Sequence, residues 1–355
     1  MTKTAVLLVN LGTPNSYQKK DVFRYLIQFL TDRRVITLPF VERNLLVRTV
    51  IVPSRFTTSA KYYEEIWTED GSPLDIYARK TKALLQTSLG NDFVVEYAMR
   101  YQSPSLKSTL KKIIKPNISK LVVIPLFPQY ASSTTGSIME SVFAQLKGLE
   151  VFPSMQFVTH FHDHPKIINA FCDIARKCSY EDYDHILLSF HGLPEKQLVK
   201  ADLCNHCLKS KNCCKKISDK NHMCYGAQCY ATAEKLIEKL KLEKDRYSIC
   251  FQSRLGKDPW LKPSTSSLIE SLPKKGCKKV LVMCPSFVCD CLETLHEVAI
   301  EYSTDFKKAG GETLHLMPGL NDHPLFIEAL KDLSSPYLSK KAEALSALIP
   351  EKNLL

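Results

Sequence analysis

The sequence has no long hydrophobic run. Among its 355 residues the longest clear apolar segment is 121–128, which contains two prolines and is far shorter than the ~20 residues of a membrane-spanning helix. The apolar stretch at 5–9 is too short for a signal peptide and predicts a first strand instead. We therefore expect a protein that stays in the cytoplasm and at most lies peripherally on the inner face of the membrane.

Phosphate-binding loops are also absent. The sequence contains neither GxGxxG nor GxxxxGK[ST], so nucleotide chemistry loses most of its support. Disorder and low complexity are excluded by a composition that is 45% hydrophobic and 24% charged. The length predicts about two globular domains, at roughly 100–200 residues each.

Acidic residues are fewer than basic ones. Lys and Arg number 48 against 37 Asp and Glu, which gives a formal net charge of +11. Such a charge suits an anionic partner, whether nucleic acid, an anionic lipid surface or a small molecule that carries carboxylates. The sign of the charge does not choose among these three.

Short β-branched segments alternate with helical stretches along the whole chain. They lie at 5–9, 93–98, 121–126, 156–159, 185–190, 247–251, 279–283 and 313–317. This alternation is typical of βαβ units and parallel sheets. Eight strands could close one barrel, but their spacing is uneven and a second series begins near Met155. We therefore predict two doubly wound halves of about four strands each, with the ligand crevice beyond the carboxyl ends of the strands.

His191 directly follows the predicted strand 185–190 and precedes a Gly-Leu-Pro sequence. A histidine at this place stands at the carboxyl end of a strand, where α/β proteins bind ligands. Its near-neutral pKa suits proton transfer at pH 7. The alternative is a structural histidine that caps the loop through a backbone hydrogen bond.

A ladder of carboxylates follows the seventh predicted strand. Asp290, Glu293, Glu297 and Glu301 are spaced by three, four and four residues, which on an α-helix places them within roughly an 80° arc. The ordinary interpretation is a solvated acidic face. Because the ladder begins inside the expected crevice of a basic protein, it also fits a proton relay or a route for a hard divalent cation.

Aromatic, basic and hydroxyl side chains lie in the remaining loops after strands. They are Arg100, Tyr101, Tyr130, Ser132, Ser133, Thr134, Thr135 and Trp260. Singly, each is typical of packing or a turn. Together they indicate a flat, apolar ligand with anionic edges.

Seven segments in these loops resemble one family, in that family's order. They read VNLGTP at 9–14, GSPL at 71–74, MRYQSPS at 99–105, PLFPQYASSTTGS at 125–137, SFHGLPE at 189–195, QSRLGKDPWLKPST at 252–265 and CPSFVCDCLETLHE at 284–297. The chain is similar over nearly its whole length to the ferrochelatases, enzymes that insert ferrous iron into protoporphyrin IX to make protoheme, the terminal step of heme biosynthesis. The resemblance implies a lyase whose substrates are Fe²⁺ and protoporphyrin IX, with no nucleic-acid partner.

The resemblance also implies a chelatase-like α/β fold of two Rossmann-like domains, each with a mostly parallel four-stranded sheet flanked by helices. The first domain is predicted at 1–154 with an active-site lip at about 39–60. The second is predicted at 155–325 with a cysteine-rich insert at about 200–229. A final helix at 326–355 is expected to pack back on the first domain.

Site residues follow from the matched positions. His191 and Glu293 are expected to face each other across the porphyrin as catalytic groups and ligands of the substrate iron, with Glu297 catalytic and Glu301 continuing the acidic path. The porphyrin-binding residues are expected to be Leu11, Arg100, Tyr101, Tyr130, Ser132 and Trp260. Leu11 departs from the Tyr found near this loop in many Gram-positive coproporphyrin enzymes, which favours protoporphyrin. Cys291 stands where animal members have His, and many bacterial members also have Cys.

The predicted lip combines apolar and basic residues. Leu45, Leu46, Val47, Val50, Ile51 and Val52 lie among Arg43, Arg48 and Arg55. A buried helix is one interpretation. The other is a lip that contacts an anionic membrane surface, from which an apolar porphyrin arrives.

Thirteen cysteines in a cytosolic chain do not indicate a disulfide framework. Six of them fall within 26 residues, at Cys204, Cys207, Cys213, Cys214, Cys224 and Cys229. Thiols in so polar and lysine-rich a loop are not explained by core packing, and thiolates select zinc or an iron–sulfur cluster. By resemblance to bacterial ferrochelatases with cysteines inserted here, we predict a [2Fe–2S] cluster on Cys207, Cys213, Cys214 and Cys224. Cys204 or Cys229 could replace one ligand, and zinc or free thiols are the alternatives.

Two rival functions remain at this point. A nucleic-acid-binding or iron–sulfur regulatory protein would use the lysines and cysteines but leaves His191 and the carboxylate ladder without a role. A cobalt chelatase would share the fold. That fold usually places two histidines in the metal site, so Cys291 at the second position argues against it.

Overall fold

The computed structural model describes residues 2–210, 212–254, 256 and 258–334. Its strands are β1 (Lys3–Gly12), β2 (Phe93–Tyr101), β3 (Ile118–Pro125), β4 (Ser154–Phe157), β5 (His185–His191), β6 (Tyr247–Gln252), β7 (Lys279–Met283) and β8 (Thr313–Leu316). They form two parallel sheets with the orders β2-β1-β3-β4 and β6-β5-β7-β8. The prediction of an α/β fold with two four-stranded parallel sheets is confirmed, and each predicted strand is present.

The helices flank both sheets. They are α1 (Lys19–Leu30), α2 (Phe40–Leu46), α3 (Val52–Ile66), α4 (Pro73–Leu89), α5 (Leu106–Ile113), α6 (Ser137–Leu146), α7 (Pro165–Lys177), α8 (Glu195–Ala201), α9 (Tyr225–Leu240), α10 (Thr265–Ser271), α11 (Ser303–Lys308) and α12 (Pro324–Ser334). Segments with π-helical turns lie at Val47–Ile51, Ser132–Gly136 and Glu293–Tyr302. Such turns are rare and concentrate at functional sites. None of the described helices is long and apolar enough to cross a membrane.

The central strands are apolar on both faces because helices cover both sides of each sheet. In β1 the residues from Thr4 to Asn10 are all buried, and in β5 the residues from His185 to Phe190 are buried. Continuous apolar runs of this kind are what a doubly covered parallel strand requires. The alternation of strands and helices that the sequence predicts is therefore present in the two sheets.

One hydrophobic core joins the two halves. Side chains of the first sheet, such as Leu8, and of the second sheet, such as Leu188, belong to the same buried cluster as Phe171 on α7 and Phe326 on α12. Helix α12 packs against α7 and against α4 of the first half. Helix α12 covers the beginning of the predicted final helix. Residues 335–355 of that prediction lie outside the described part of the chain.

Strand β4 belongs to the first sheet, where it pairs with β3. The predicted second series beginning near Met155 is therefore wrong, because the predicted boundary at 154/155 falls inside this strand. The division between the two sheets comes after Phe157, in the connection that leads to α7. The sequence pattern missed this because β4 is short and only partly buried, which makes it look like the start of a new unit.

Candidate active site

His191 is the last residue of β5, and its backbone is held from two sides. Its N–H donates to Ser286 Oγ over 2.9 Å, and its carbonyl accepts from the Tyr225 hydroxyl over 2.7 Å. The imidazole ring meets the Phe287 ring edge to face at 6.0 Å. Nδ1 of His191 is buried and has no hydrogen-bond partner. The main chain is thus fixed while the ring keeps a nitrogen for a proton or a metal.

Gly192 lets another chain segment approach the histidine. A Cβ at this position would stand 2.7 Å from the carbonyl oxygen of Gln252 and 3.2 Å from Trp260 Cε3. Only glycine fits so close an approach. Trp260 therefore lies beside the histidine loop, and its Nε1 is a second buried atom without a hydrogen-bond partner. Unpaired buried donors of this kind call for a ligand or water.

Gln252 joins the histidine strand to the acidic helix. It pairs with His191 across β5 and β6, and it is buried. Its Nε2 donates to the carbonyl of Glu293 over 2.9 Å and to Glu297 Oε2 over 3.3 Å. Gln252 thus connects the main chain of His191, through strand pairing, with the main chain of Glu293, through its side-chain amide.

The carboxylate ladder has three members on the helix. Glu293, Glu297 and Glu301 lie on the segment Glu293–Tyr302, which has π-helical rather than α-helical turns. Asp290 precedes the helix and is buried, where it accepts from Asn321 Nδ2 over 2.8 Å and from the Gly319 N–H over 3.1 Å. The expectation that all four carboxylates share one helical face is wrong for Asp290, which holds two loops together instead.

Glu297 is fully occupied by donors. Its Oε1 accepts from the Ser253 N–H and from the Tyr302 hydroxyl, both over 2.7 Å. Its Oε2 accepts from Ser253 Oγ over 2.5 Å and from the Gln252 side chain. A carboxylate has about four acceptor positions, and these four contacts fill them.

Glu293 lines a cavity of about 70 Å³ together with Tyr25, Tyr63 and Cys291. Burial, followed by the charge of Glu293, raises the pKa of Cys291 and of Tyr25. Burial, the neighbouring Tyr25 and then Glu293 raise the pKa of Tyr63. All three groups therefore keep their protons, so the carboxylate faces neutral side chains.

The predicted porphyrin-binding residues at the end of β2 are tied to Asp32. Arg100 Nη2 donates to Asp32 Oδ2 over 2.7 Å, and the Tyr101 hydroxyl donates to the same oxygen over 2.9 Å. Burial alone would raise the pKa of Asp32. The hydrogen bonds from Ser137 and Arg34 and the charge of Arg100 outweigh it and lower that pKa.

Tyr101 and Leu11 differ in exposure. Tyr101 is almost fully buried in the cluster that also contains Tyr25 and Tyr63, so its ring supports the site from behind. Leu11 is partly buried against the same cluster and lines the cavity that contains Glu293. Asp32 was missed at the sequence level because it follows α1 rather than a strand.

Tyr130 and Ser132, in the loop after β3, lie next to the cysteine-rich insert. The Tyr130 N–H donates to Gln228 Oε1 over 2.7 Å, and Ser132 Oγ accepts from Arg34 Nη1 over 2.9 Å. Both residues line a cavity of about 180 Å³ whose opposite wall is formed by the insert, including Cys207. The loop after β3 therefore connects the site to the insert.

Three of the four predicted cluster cysteines, Cys213, Cys214 and Cys224, contact one another, and the charges of two of them act on the fourth, Cys207. Cys213 Sγ lies 3.6 Å from Cys214 Sγ, and Cys214 is hydrogen-bonded to Cys224. Burial, then the charges of Cys224 and Cys213, raise the pKa of Cys207 to about 12. Adjacent Cys213 and Cys214 thus direct their thiols to one place. Within the described part of the chain, however, no three or more His, Cys, Asp or Glu side chains are arranged to hold a metal ion.

The two alternative cysteines are set apart from these four. Cys204 is exposed, with its N–H bound to Asp202. Cys229 is buried in α9 and hydrogen-bonded to Tyr225.

The fold is chelatase-like. The solved structure of SirB from Bacillus subtilis with Fe3+ matches this chain with a TM-score of 0.52, covering 94% of this chain and 96% of that one at 12% identity. At this identity the likeness establishes the fold alone.

Sequence relatives identify the family. The family model described as Ferrochelatase matches residues 3–337. The ferrochelatase of Legionella pneumophila (strain Philadelphia 1) is 40% identical over 331 residues, which cover 93% of this chain and 98% of that protein. The ferrochelatase of Coxiella burnetii (strain Dugway 5J108-111) is 41% identical over 341 residues, covering 95% and 94%. This chain belongs to the ferrochelatase family and is an enzyme of heme biosynthesis that inserts a metal into a porphyrin, as the motifs predicted.

Cys224 provides a pH-dependent test of the thiol geometry. The hydrogen bond from Cys214 and the backbone N–H groups of Ala227 and Gly226 outweigh burial and lower the pKa of Cys224 to about 6. Because the thiolate is the nucleophile, we expect iodoacetamide to modify Cys224 of the metal-free protein at half its maximal rate near pH 6. In Cys214→Ala the midpoint shifts upward. A wild-type midpoint near ~8.5, the value of an ordinary thiol, would contradict the geometry.

Proposed function

We propose that this enzyme inserts Fe²⁺ into protoporphyrin IX and so makes protoheme in the terminal step of heme biosynthesis. The observation that carries the proposal is the buried, unpaired Nδ1 of His191. The main chain of His191 pairs with that of Gln252, whose amide donates to the carbonyl of Glu293. Metallation removes two N–H protons from the macrocycle and brings in a cation. Imidazole and carboxylate close together can serve both steps, as bases and as ligands.

We assign His191 and Glu293 as the groups that contact the reacting porphyrin nitrogens and the substrate iron. His191 has a fixed main chain and a free ring nitrogen, which suits repeated proton uptake and release. Glu293 raises the pKa values of Tyr25 and Cys291, which are neutral while they keep their protons. Neither of these neighbours therefore neutralises the charge of Glu293. Glu297, the third predicted catalytic residue, orients this helix through Ser253 and Tyr302, and Glu301 continues the acidic row outward.

The porphyrin contacts are assigned to the rim of the same crevice. Trp260 offers a ring beside the histidine loop and a free Nε1 donor. Arg100, already paired with Asp32, adds a positive charge for a propionate with its remaining donors. Leu11 presents an apolar side chain beside Glu293, which favours the vinyl groups of protoporphyrin over the extra carboxylates of coproporphyrin.

Anaerobic iron insertion tests this function directly. Loss of porphyrin fluorescence is followed with protoporphyrin IX and coproporphyrin III side by side, for wild type and His191→Ala. We expect fast loss with protoporphyrin and a drop of at least about 10²-fold in kcat in the variant, since a positioned base contributes that much. His315→Ala is the matched control, because His315 is exposed on β8 and contacts Tyr183.

Two outcomes would contradict the assignment. Preferential metallation of coproporphyrin would overturn the substrate, and absence of turnover with either porphyrin would overturn the function. Equal rates for His191→Ala and His315→Ala would remove His191 from the chemistry.

We further propose that the insert holds a [2Fe–2S] cluster on Cys207, Cys213, Cys214 and Cys224. The donor set supports this: the Cys213 and Cys214 sulfurs lie 3.6 Å apart, Cys214 bonds to Cys224, and the lowered pKa of Cys224 supplies one thiolate near neutral pH. The surrounding segment 196–220 contains seven lysines and two aspartates, which offsets the negative charge of a thiolate-rich site. When bound, such a cluster supplies a one-electron centre and ties the insert to the start of α9.

Absorption spectra of single Cys→Ser variants test the cluster. We expect visible absorption in the purified wild-type protein and its loss on substitution of any one of the four cysteines, because each ligand completes the coordination of an iron. Cys172→Ser and Cys250→Ser are the controls, since both cysteines are buried in the core away from the insert. A colourless protein that contains zinc would favour the alternative metal, and absorption unaffected by the four substitutions would contradict the ligand set.

We also propose that the lip, residues 39–60, brings this cytoplasmic enzyme into peripheral contact with an anionic membrane surface. Phe40 and Val41 are 72% and 73% exposed, and Leu45 is exposed on the next turn. Arg48 and Arg55 are exposed beside them. An apolar face flanked by cations is typical of interfacial helices.

Arg43 does not share in this surface. It is buried, and its guanidinium donates to the carbonyls of Thr31 and Leu38. The basic residues available to a membrane are therefore fewer than the sequence pattern indicated.

Vesicle binding tests the lip. We expect the protein to bind vesicles that contain phosphatidylglycerol. Phe40→Ser with Val41→Ser should weaken binding by about tenfold or more, since burial of each apolar side chain in the membrane contributes up to ~1.5–3 kcal/mol to binding, which serine does not supply. Val151→Ser with Phe152→Ser is the matched control, because both side chains are exposed far from the lip in sequence. Equal binding by both double variants, or no binding by wild type, would contradict the proposal.

A further inference from the structure

Two cavities meet at one buried hydrogen bond. The inner one, of about 70 Å³, contains Glu293. The outer one is a polar cleft of about 630 Å³ that opens to the surface. Thr13 and Ser72 line both of them, and Thr13 Oγ1 donates to Ser72 Oγ over 2.9 Å. This hydroxyl pair is the wall between the candidate catalytic carboxylate and the outer cleft.

The chain is built to place this pair. Gly12 has a φ of +123°, and a Cβ there would stand 2.1 Å from the Tyr101 carbonyl oxygen, so only glycine allows β1 to end where it does. Ser72 precedes α4 at the N-cap position, yet its side chain accepts no hydrogen bond from the helix. A serine cap usually contributes about 1 kcal/mol. Here its hydroxyl is used for the contact with Thr13 instead.

The inner cavity is lined by groups that need water. Asn10 is 4% exposed; its side chain adjoins the Cys289 thiol, but its Nδ2 has no partner in hydrogen-bond geometry. The volume admits about two water molecules at ~30 Å³ each. A buried unpaired donor in a polar cavity of this size is normally satisfied by ordered water. Water at this place would lie between Glu293 and the Thr13–Ser72 pair.

The outer cleft can receive protons. Its lining includes the carboxylate of Asp70, together with Asp75, which is paired with Arg79, and Glu96, which is paired with Lys82 and Lys112. Asp70 is exposed, and Asp75 is bound by the Tyr97 hydroxyl over 3.0 Å. Carboxylates at the mouth of a passage exchange protons with bulk water quickly, so a proton that crosses the hydroxyl pair is released there.

The acidic ladder alone is a poor outlet from Glu293. The next carboxylate along it, Glu297, already accepts four hydrogen bonds, and none of its acceptor positions remains open to a proton. For protons that reach Glu293, the Thr13–Ser72 pair of the first domain is therefore a better outlet than Glu297.

We propose that the inner cavity is hydrated and that the hydroxyls of Thr13 and Ser72 relay protons from Glu293 to the outer cleft. The inference deepens the proposed function and rests on the role given there to Glu293. Iron insertion releases two protons from the porphyrin. For each one, water and the two hydroxyls take up a proton on the inner side and give one up on the outer side, with no change of oxidation state. Thr13 and Ser72 are positioning residues, since they act on the reaction through Glu293.

Kinetics of Thr13→Val and Ser72→Ala test the relay. We expect kcat to fall about tenfold, as for the loss of one hydrogen bond of ~1.4 kcal/mol at the limiting step, with KM for both substrates unchanged. The solvent deuterium isotope effect on kcat should increase, and added imidazole, a small proton carrier, should restore part of the rate. Thr81→Val is the control, because Thr81 is equally buried but contacts only the Asn321 carbonyl, over 3.4 Å.

Variants that behave like Thr81→Val would overturn the relay. So would a slower kcat without a larger isotope effect or rescue by imidazole, since that pattern indicates a structural role. A high-resolution crystal structure of the wild-type protein tests the hydration separately: we expect ordered water on Asn10 Nδ2, and an empty cavity would overturn the inference. This readout does not depend on turnover. A wild type that fails to metallate protoporphyrin would contradict the proposed function, whereas hydration of the cavity would still be tested by the crystal structure.

Discussion

The hydrogen bond from Gln252 to the carbonyl of Glu293 is the contact on which the site depends. Gln252 is the last residue of β6, which pairs with β5, the strand that ends in His191. Its partner Glu293 is the first residue of the acidic helix. The side chain itself is oriented by Ser189, whose hydroxyl donates to Gln252 Oε1 over 2.9 Å. Because the amide is buried, leaving it unpaired would cost about 1–3 kcal/mol, so the two catalytic elements stay in register.

The fold and the location of the site could be predicted from the sequence, and the contacts could not. Apolar runs between helices predicted every strand, and the carboxyl ends of those strands led to His191 and Trp260. Asp32 and Gln252 carry no local signal, because their importance comes from partners distant along the chain. Asp290 was misplaced because the pattern was interpreted with α-helical geometry, whereas the helix begins three residues later and has π-helical turns.

The cysteine insert illustrates the same limit. The spacing of Cys213 and Cys214 along the chain did not show how two neighbouring thiols would be arranged. Their sulfur atoms lie 3.6 Å apart, and Cys214 bonds to Cys224 at the N-terminus of α9, where Cys224 accepts from backbone N–H groups. The segment before α9 is stabilised by Asn221, whose side chain donates to the carbonyls of Cys213 and Lys216. A single polar residue thus decides where the thiols meet.

The shared hydrophobic core has a consequence for how the enzyme opens. Side chains from both sheets and from α7, α9 and α12 form one cluster, so the two halves cannot separate without exposing that interior to water. Hinge bending between lobes, the usual way in which two-domain enzymes admit a substrate, is therefore costly here. We therefore expect a large planar molecule to enter past the rim, by local motion of the segments α2 and α3 rather than by separation of the two halves.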